Sequence, residues 1–161
     1  MGKATLLLGT NLGDRMANIR QAEQRIARQA GQIVLQSSVY ETAAWGYRNQ
    51  PSFLNQVLVV ETSLPPQELM KELLLIEKQM GRSRTTRWRE RSIDIDILFY
   101  DDLVLNEAHL VIPHPHLHER NFTLVPLREV MPGYLHPVLK KTVSQLVDES
   151  RDKLAAEIYQ P

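Results

Sequence analysis

The order in which strand-like and helix-like apolar patterns follow one another constrains the fold of this chain more than any other feature. Strand-like runs lie at residues 4–8, 33–41, 53–62 and 92–100, with helix-like patterns between the first and second and between the third and fourth. This order is typical of the split βαβ arrangement of ferredoxin-like domains. We therefore predict an α+β fold: a ferredoxin-like βαββαβ core with a mainly antiparallel sheet and helices packed on it, extended by a C-terminal strand and helices.

Capping and chain-breaking residues set the expected limits of the elements. Asp14 can cap the first helix, and Gly31 is expected to end it. Pro65 and Pro66 suit the first turn of the second helix, which runs to Gly81. Downstream we expect a short strand at 103–105, a segment rich in proline and histidine, and a weaker helix at 142–149.

Length and composition narrow the class of protein. With 161 residues the chain suits one domain over residues 1–161 and can bury a core without disulfides. It has no cysteine, and a reducing, cytoplasmic setting is the default expectation. Because its formal net charge is zero, we expect only local anion-binding patches and no nucleic-acid partner. No apolar run is long enough to span a membrane, so we expect no membrane partner. As a separate expectation, the chain is a monomer.

Two aspartates on one strand indicate metal chemistry. In the segment SIDIDILFY at 92–100, alternation places Asp94 and Asp96 on one face, and the isoleucines with Phe99 on the other. Their Cα atoms should lie about 7 Å apart, a spacing at which carboxylate oxygens can hold one or two hard cations. The alternative is the solvated face of a half-exposed strand.

The segment before this strand is strongly basic. Residues 82–91 contain five arginines around Trp88. Guanidinium groups bind phosphate oxygens in a forked geometry, and the indole ring can stack on a base or a ring substrate. A flexible, solvated loop is the alternative interpretation of such a charge run.

Three histidines alternate in a later segment. On an extended backbone, His114, His116 and His118 would lie on one side, so a zinc site is one hypothesis. Two prolines interrupt the segment, and no carboxylate within the run would orient the rings. We favour one histidine as a phosphate contact and the others as surface or packing residues. In the third strand, the amide of Asn55 could bind a heterocycle through its donor and its acceptor.

Two other function classes fit some of these features. A metal-dependent phosphohydrolase or nuclease could use Asp94, Asp96 and the histidines around two ions, with water as the nucleophile. A module that binds single-stranded RNA would use a ferredoxin-like sheet with aromatic residues and a basic loop. The zero net charge and the strand carboxylates disfavour the RNA-binding class.

A distributed set of short segments carries a resemblance to a known family. From about residue 4 to 130 they are GTNLGD at 9–14, YET at 40–42, QPSFLN at 50–55, IE at 76–77, GR at 81–82, RW at 87–88, RSIDIDIL at 91–98, PHP at 113–115, HERNF at 118–122 and VPL at 125–127. In this combination the chain resembles the 6-hydroxymethyl-7,8-dihydropterin pyrophosphokinases of folate biosynthesis.

The resemblance implies a diphosphate transfer. ATP would give its β,γ-diphosphate to the hydroxymethyl oxygen of 6-hydroxymethyl-7,8-dihydropterin, leaving AMP. Asp94 and Asp96 would hold two Mg²⁺ ions that neutralise the triphosphate and align the hydroxyl for in-line attack. Arg82 and Arg91 would join the two aspartates as catalytic residues by stabilising charge on the transferring diphosphate.

The resemblance also divides the remaining site residues between the two substrates. The residues implied in ATP binding are Arg84, Arg87, Trp88, Arg91, Ile97, His114 and Arg120. The residues implied in pterin binding are Thr42, Trp45, Phe53, Asn55 and Phe122, whose two phenylalanine rings would sandwich the pterin ring. Asn11 and Glu77 would support that pocket.

The chain departs from the common family pattern at several positions. Arg89 and Glu90 stand where glycine and proline are common, so the backbone freedom of the loop before the aspartate strand is expected to differ. The other departures are Ala43, Leu74, His109 and Pro115. We expect the last two to alter the adenosine side of the site.

Overall fold

The computed structural model describes residues 1–43, 51–81 and 92–161, and its elements follow the predicted order. In chain order they are β1 (Gly2–Thr10), α1 (Arg15–Gln29), β2 (Gln32–Gln36), β3 (Tyr40–Thr42), β4 (Phe53–Thr62), α2 (Pro66–Gln79), β5 (Asp94–Tyr100), β6 (Leu105–Glu107), β7 (Leu110–Ile112), α3 (Asn121–Val130), α4 (Val143–Glu149) and β8 (Glu157–Ile158). A single 3₁₀ turn, Leu117–Glu119, precedes α3.

The main sheet has the strand order β5-β1-β4-β3-β8, with β2 also beside β4. All of its pairings are antiparallel in the described part of the chain. The interior strand β1 is apolar and buried along most of its length because strands flank it on both sides and both of its faces are covered. The ferredoxin-like α+β prediction is therefore confirmed.

Helices α1 and α2 cover one face of this sheet, which we call the back face. Their apolar stripes pack against alternate residues of β1, β4 and β5; the core members are Ile19, Ala22, Ile26, Leu69, Leu73, Ile76, Leu6, Leu8, Leu54, Leu58, Ile95 and Ile97. As predicted, Asp14 caps α1, accepting a hydrogen bond from the backbone N–H of Ala17 at 3.1 Å. Pro66 is the first residue of α2.

Gly31 is required for a different reason from the predicted one. The described left-handed glycines are Gly13 and Gly81, so Gly31 does not end α1 by adopting a positive φ. Instead, a Cβ on Gly31 would collide with the backbone carbonyl oxygen of Glu61 in β4. The glycine allows the chain to pass close to the sheet as it leaves the helix.

Helices α3 and α4 cover part of the opposite face, which we call the front face. Their core members pack with residues of β1, β4 and β5: Leu7, Val57, Leu98, Phe99, Leu117, Leu124, Leu127, Val143 and Leu146. The predicted placement of Phe99 with the isoleucines is wrong. The pairing of β5 with β1 changes register between Ile97 and Phe99, and this bulge at Leu98 turns the Phe99 side chain toward the front face.

Three local predictions need correction. The expected strand at 33–41 is two strands, β2 and β3, which both pair with β4 and are separated at residues 37–39. The expected strand at 103–105 is displaced into the hairpin of β6 and β7. Helix α3 was not predicted because Pro126, which lacks an N–H donor, lies inside it.

The C-terminal segment returns to the sheet, although its sequence gave no clear signal. Ser150, Asp152 and Leu154 bond with the side chain or backbone of Asn121 at the start of α3. Strand β8 then pairs with β3 along its outer edge. No helix within the described residues combines the length and hydrophobicity needed to cross a membrane.

Candidate active site

A cavity of about 730 Å³ opens on the front face of the sheet, beside the start of α3. Its lining residues are Leu7, Gly9, Thr42, Ala43, Phe53, Asn55, Asp94, Asp96, His116, Glu119, Arg120 and Phe122. The predicted metal ligands and four of the predicted pterin-binding residues, Thr42, Phe53, Asn55 and Phe122, therefore lie around one space. Its size and its mixture of aromatic and polar walls are typical of a site for a small molecule.

Cross-strand pairing forms the floor of this cavity. Gly9 of β1 pairs with Asn55 of β4 on one side and with Asp94 of β5 on the other. Two residues earlier, Leu7 pairs with Asp96. Because directly paired residues in a sheet project to the same face, the amide of Asn55 and the two carboxylates point into the same cavity.

Glu77 of α2 supports the strand that carries the aspartates. The backbone N–H of Ile95 donates a 2.7 Å hydrogen bond to Glu77 Oε2. Ile95 lies between Asp94 and Asp96 on β5, which is the last strand at its side of the described sheet. The carboxylate thus takes the place that a further strand would occupy and fixes the backbone between the two cavity-facing aspartates.

The carboxylate pair fits magnesium bound together with a nucleotide. Within the described residues, no group of three or more His, Cys, Asp or Glu side chains is placed to hold a metal ion. Mg²⁺ does not need such a group, because it commonly binds through one or two carboxylates, substrate phosphates and water. Asp94 and Asp96 supply that oxygen donor set, whereas the zinc hypothesis for the three histidines has no support among the described side chains.

Asn55 lines the cavity and carries a buried hydrogen-bond acceptor. Its Nδ2 donates to the backbone carbonyl of Leu8 at 3.1 Å, which fixes the orientation of the amide. Its Oδ1 is buried and has no hydrogen-bond partner within the described residues. Leaving a buried acceptor unsatisfied costs about 1–3 kcal/mol, so this atom is suited to receive an N–H group of a ligand.

Two phenylalanine rings enter the cavity from different elements. Phe53 is the first residue of β4, and Phe122 lies in the first turn of α3. The guanidinium carbon of Arg120 lies 5.6 Å from the centroid of the Phe122 ring, within the range of a cation–π contact. Thr42, the Cα partner of Phe53 on β3, is buried beside them.

His114 is neutral at pH 7. Burial, together with the charges of Arg120 and His116, lowers the pKa of His114 from 6.5 to about 4. Its Nδ1 accepts a hydrogen bond from the backbone N–H of His116 at 3.2 Å, so the ring proton is on Nε2. The side chain can therefore donate one hydrogen bond to a phosphate oxygen but brings no positive charge of its own.

His116 and Glu119 form a pair at the rim of the cavity. The Nδ1 atom of His116 lies 3.2 Å from Glu119 Oε2, and both side chains are more than half exposed. His118 also approaches Glu119, at 3.7 Å. The three histidines thus differ in environment: His116 lines the cavity, whereas the resemblance implies His114 as the ATP contact.

Several predicted site residues lie away from the cavity wall or outside the described residues. The side chain of Ile97 is buried in the back-face core, and half-buried Asn11 follows β1 in the turn before α1. His114 adjoins the cavity through Arg120 and His116 but is not one of its lining residues. The predicted residues outside the described ranges are Trp45, Arg82, Arg84, Arg87, Trp88 and Arg91.

Sequence reasoning missed five lining residues: Leu7, Gly9, Ala43, His116 and Glu119. The register of β1 with β4 and β5 identifies the first two, because they pair with Asn55, Asp94 and Asp96. Alternation within each strand was visible in the sequence, but the alignment of one strand with another was not.

Comparison with known proteins gives consistent results. The family model described as 7,8-dihydro-6-hydroxymethylpterin-pyrophosphokinase (HPPK) matches residues 5–132. The chain is 41% identical over 150 residues to the Aquifex aeolicus 2-amino-4-hydroxy-6-hydroxymethyldihydropteridine pyrophosphokinase, covering 93% of each protein. It is also 41% identical over 128 residues to the Bacillus subtilis protein of the same name, covering 79% of this chain and 77% of that protein.

A solved structure shares the fold. The chain superimposes on a Plasmodium falciparum HPPK-DHPS triple mutant with a TM-score of 0.78, at 20% sequence identity. The match covers 92% of this chain and 44% of the Plasmodium chain, so this chain spans less than half of that longer protein.

Proposed function

Because the chain belongs to the 7,8-dihydro-6-hydroxymethylpterin-pyrophosphokinase family, we propose that it transfers diphosphate from ATP to 6-hydroxymethyl-7,8-dihydropterin in folate biosynthesis. The hydroxymethyl oxygen of the pterin loses its proton and bonds to the β-phosphorus of ATP. The bond from that phosphorus to the oxygen bridging the α- and β-phosphates breaks. The products are AMP and the pterin diphosphate.

The juxtaposition of Asn55 with Asp94 across Gly9 is the observation that carries this assignment. It brings an amide suited to a heterocycle next to a carboxylate suited to a magnesium–phosphate complex. A pterin held at Asn55 would therefore present its hydroxymethyl group toward phosphates held at Asp94. This arrangement favours direct transfer between two bound substrates.

The pterin half of the cavity combines apolar walls with a polar edge. Phe53 and Phe122 hold the ring between them, and Asn55 Oδ1 accepts a hydrogen bond from one of its N–H groups. Thr42 adds a polar contact beside Phe53. The predicted Trp45 and Asn11 belong to the same half by resemblance, whereas Glu77 supports the strand that carries the two aspartates.

The nucleotide half of the cavity combines negatively charged side chains, which suit a metal ion, with a positively charged side chain, which suits phosphate. Asp94 and Asp96, which line the cavity, would hold Mg²⁺, and the ion would supply Lewis-acid stabilisation of the phosphate charge when bound. Arg120 contributes a guanidinium group, and His114 contributes a neutral donor. The loop residues Arg82, Arg84, Arg87, Trp88 and Arg91 complete the proposed ATP site, and Ile97 contributes through its backbone because its side chain is buried.

Formation of AMP in the presence and absence of the pterin tests this proposal. We expect AMP and the pterin diphosphate to form in equal amounts, only when ATP, Mg²⁺ and the pterin are all present. AMP or inorganic phosphate released without the pterin would support the rival phosphohydrolase class. A chain that forms no AMP under any of these conditions would contradict the proposal.

A further inference from the structure

A polar cluster lies behind the pterin half of the cavity. It consists of Arg15 at the start of α1, Glu41 of β3, and Ser52 immediately before β4, and we call it the back-face clamp. Arg15 Nη1 donates to Glu41 Oε2 at 2.9 Å, to the Ser52 carbonyl at 2.9 Å, and to Ser52 Oγ at 2.8 Å. Ser52 Oγ in turn donates to Glu41 Oε2 at 2.6 Å.

Two members of the clamp are chain neighbours of pterin-site residues. Glu41 precedes Thr42, and Ser52 precedes Phe53, which is the Cα partner of Thr42. Since successive side chains of extended backbone point to opposite sides, a contact behind the sheet fixes the backbone that presents the next side chain in front. Arg15 thus contacts the residue that precedes Thr42 and the residue that precedes Phe53.

The C-terminal strand extends the same arrangement. The guanidinium carbon of Arg15 lies 5.5 Å from the centroid of the Tyr159 ring, and the backbone N–H of Tyr159 donates to the Val39 carbonyl at 2.8 Å. Strand β8 pairs with Glu41 and with its neighbour Tyr40. Arg15 thus joins β3, the entry to β4 and the C-terminal strand at one point.

The exposure of the clamp suggests that it positions the site more than it stabilises the fold. The side chain of Arg15 is 21% exposed and that of Glu41 is 37% exposed. Ion pairs with this degree of solvent contact contribute little to folding stability. Three bonds nevertheless join one nitrogen to β3 and to the residue before β4, so a displaced backbone would break them together.

We infer that Arg15 is a positioning residue for the pterin substrate, acting through Glu41 and Ser52 on Thr42 and Phe53. The inference rests on the proposed function, since it assigns the pterin to the cavity wall that these residues form. It predicts that loss of the clamp weakens pterin use and leaves ATP use nearly unchanged, because Asp94, Asp96 and Arg120 lie on other elements.

Steady-state kinetics with each substrate varied in turn test the inference. We expect Arg15→Gln to raise the KM for the pterin about tenfold while the KM for ATP changes less than about twofold. Arg15→Lys should restore most of the pterin KM, because the three acceptors meet at one nitrogen and an ammonium group carries three donors. The matched control is Arg28→Gln, an exposed position in the last turn of the same helix.

The outcomes separate this inference from the proposed function. A wild-type chain without pterin-dependent AMP formation would contradict the proposed function itself. Given an active wild type, an unchanged pterin KM in Arg15→Gln, or equal rises in the KM for both substrates, would overturn the positioning role. Should Arg15→Gln fail to fold, Ser52→Ala decides, because it removes only the hydroxyl; we expect a rise of about threefold in the pterin KM, and no rise would overturn the inference.

Discussion

Gly9 and Asn55 face each other across β1 and β4, and the amide of Asn55 occupies the space above the glycine. A Cβ on residue 9 would lie 2.8 Å from Asn55 Nδ2, closer than real Cβ contacts allow. The absence of a side chain on Gly9 thus permits the Nδ2 bond to the Leu8 carbonyl, which fixes the amide of this cavity-lining residue. The glycine and the amide act as one unit of the pterin site.

Gly9→Ala should therefore impair pterin binding through Asn55. The added methyl group would displace the amide, weaken its 3.1 Å bond to Leu8, and misdirect the acceptor. We expect the pterin KM to rise about tenfold and the ATP KM to change little, since a misplaced hydrogen-bonding group costs about 1–3 kcal/mol. Gly133→Ala is the control, because a Cβ there would contact nothing within 4 Å. Equal kinetics in the two variants would contradict the coupling of Gly9 to Asn55.

Asp96→Ala should abolish diphosphate transfer while the chain stays folded. The side chain lines the cavity and lies outside both apolar cores, so its loss removes a metal ligand without creating a core cavity. We expect turnover to fall by about a thousandfold or more, as for a lost Lewis-acid contribution of several kcal/mol. Thermal unfolding should shift by only a few degrees, because no contact of either apolar core is lost.

The matched control for Asp96 is Asp102→Ala, an exposed aspartate just beyond the end of the same strand. It should keep wild-type turnover at every magnesium concentration. The informative measurement is AMP formation during a magnesium titration, paired with circular dichroism to establish folding. Normal turnover in Asp96→Ala would contradict the catalytic role of the strand carboxylates and leave them only a structural one.

Patterns within single segments predicted the core of the fold, and contacts between segments account for what they missed. Alternation in β5 placed Asp94 and Asp96 on one face correctly, yet it could not reveal the bulge at Leu98 that moves Phe99 to the front face. That bulge depends on the register of β5 against β1. Helix α3 was hidden because Pro126 disfavours a helix locally, while its burial against the front-face core stabilises one.

The residues of the candidate site also fall into two groups: some could be predicted from their own chemistry, and others only from contacts between segments. Residue chemistry identified Asp94, Asp96 and Asn55, because polar groups in apolar strands are conspicuous. Gly9 and Glu119 became site residues only through their neighbours in space. The sequence pattern contains no information about distance across the sheet, so supporting residues such as Arg15 were also not predicted.

The neutral state of His114 predicts a pH dependence of stability. Because its folded pKa, about 4, lies below its ordinary value of 6.5, the unfolded chain takes up the proton first as the pH falls. Stability from this group is fully present above pH 6.5 and is lost as the pH falls from 6.5 toward about 4. His114→Gln should reduce this loss, since glutamine does not titrate.

The measurement for His114 is the thermal midpoint across that pH range in wild type and variant. The control is His109→Gln, which replaces an exposed histidine and should follow the wild-type curve. We expect the difference between wild type and His114→Gln to change steadily with pH. Parallel curves would show that His114 does not resist protonation in the folded chain.

Substitutions of Glu77 distinguish the effect of its hydrogen bond to Ile95 from the effect of its negative charge. Glu77→Ala removes the acceptor of the Ile95 N–H, which lies at the edge of the sheet between the two aspartates. We expect the free energy of unfolding to fall by about 1–3 kcal/mol, and turnover to fall because the backbone that carries Asp94 and Asp96 is no longer held. Glu77→Gln keeps an amide oxygen that can accept the same bond, so it should retain most of the stability.

Urea unfolding and AMP formation, measured on the same preparations, test this prediction. Glu68→Ala, at an exposed position on the same helix, should change the free energy of unfolding by less than about 0.5 kcal/mol. If Glu77→Gln were as destabilised as Glu77→Ala, the bond to Ile95 would not be the main contribution of Glu77. If both variants kept wild-type turnover, the position of the aspartates would not depend on Glu77, and β5 would be held by its pairing with β1 alone.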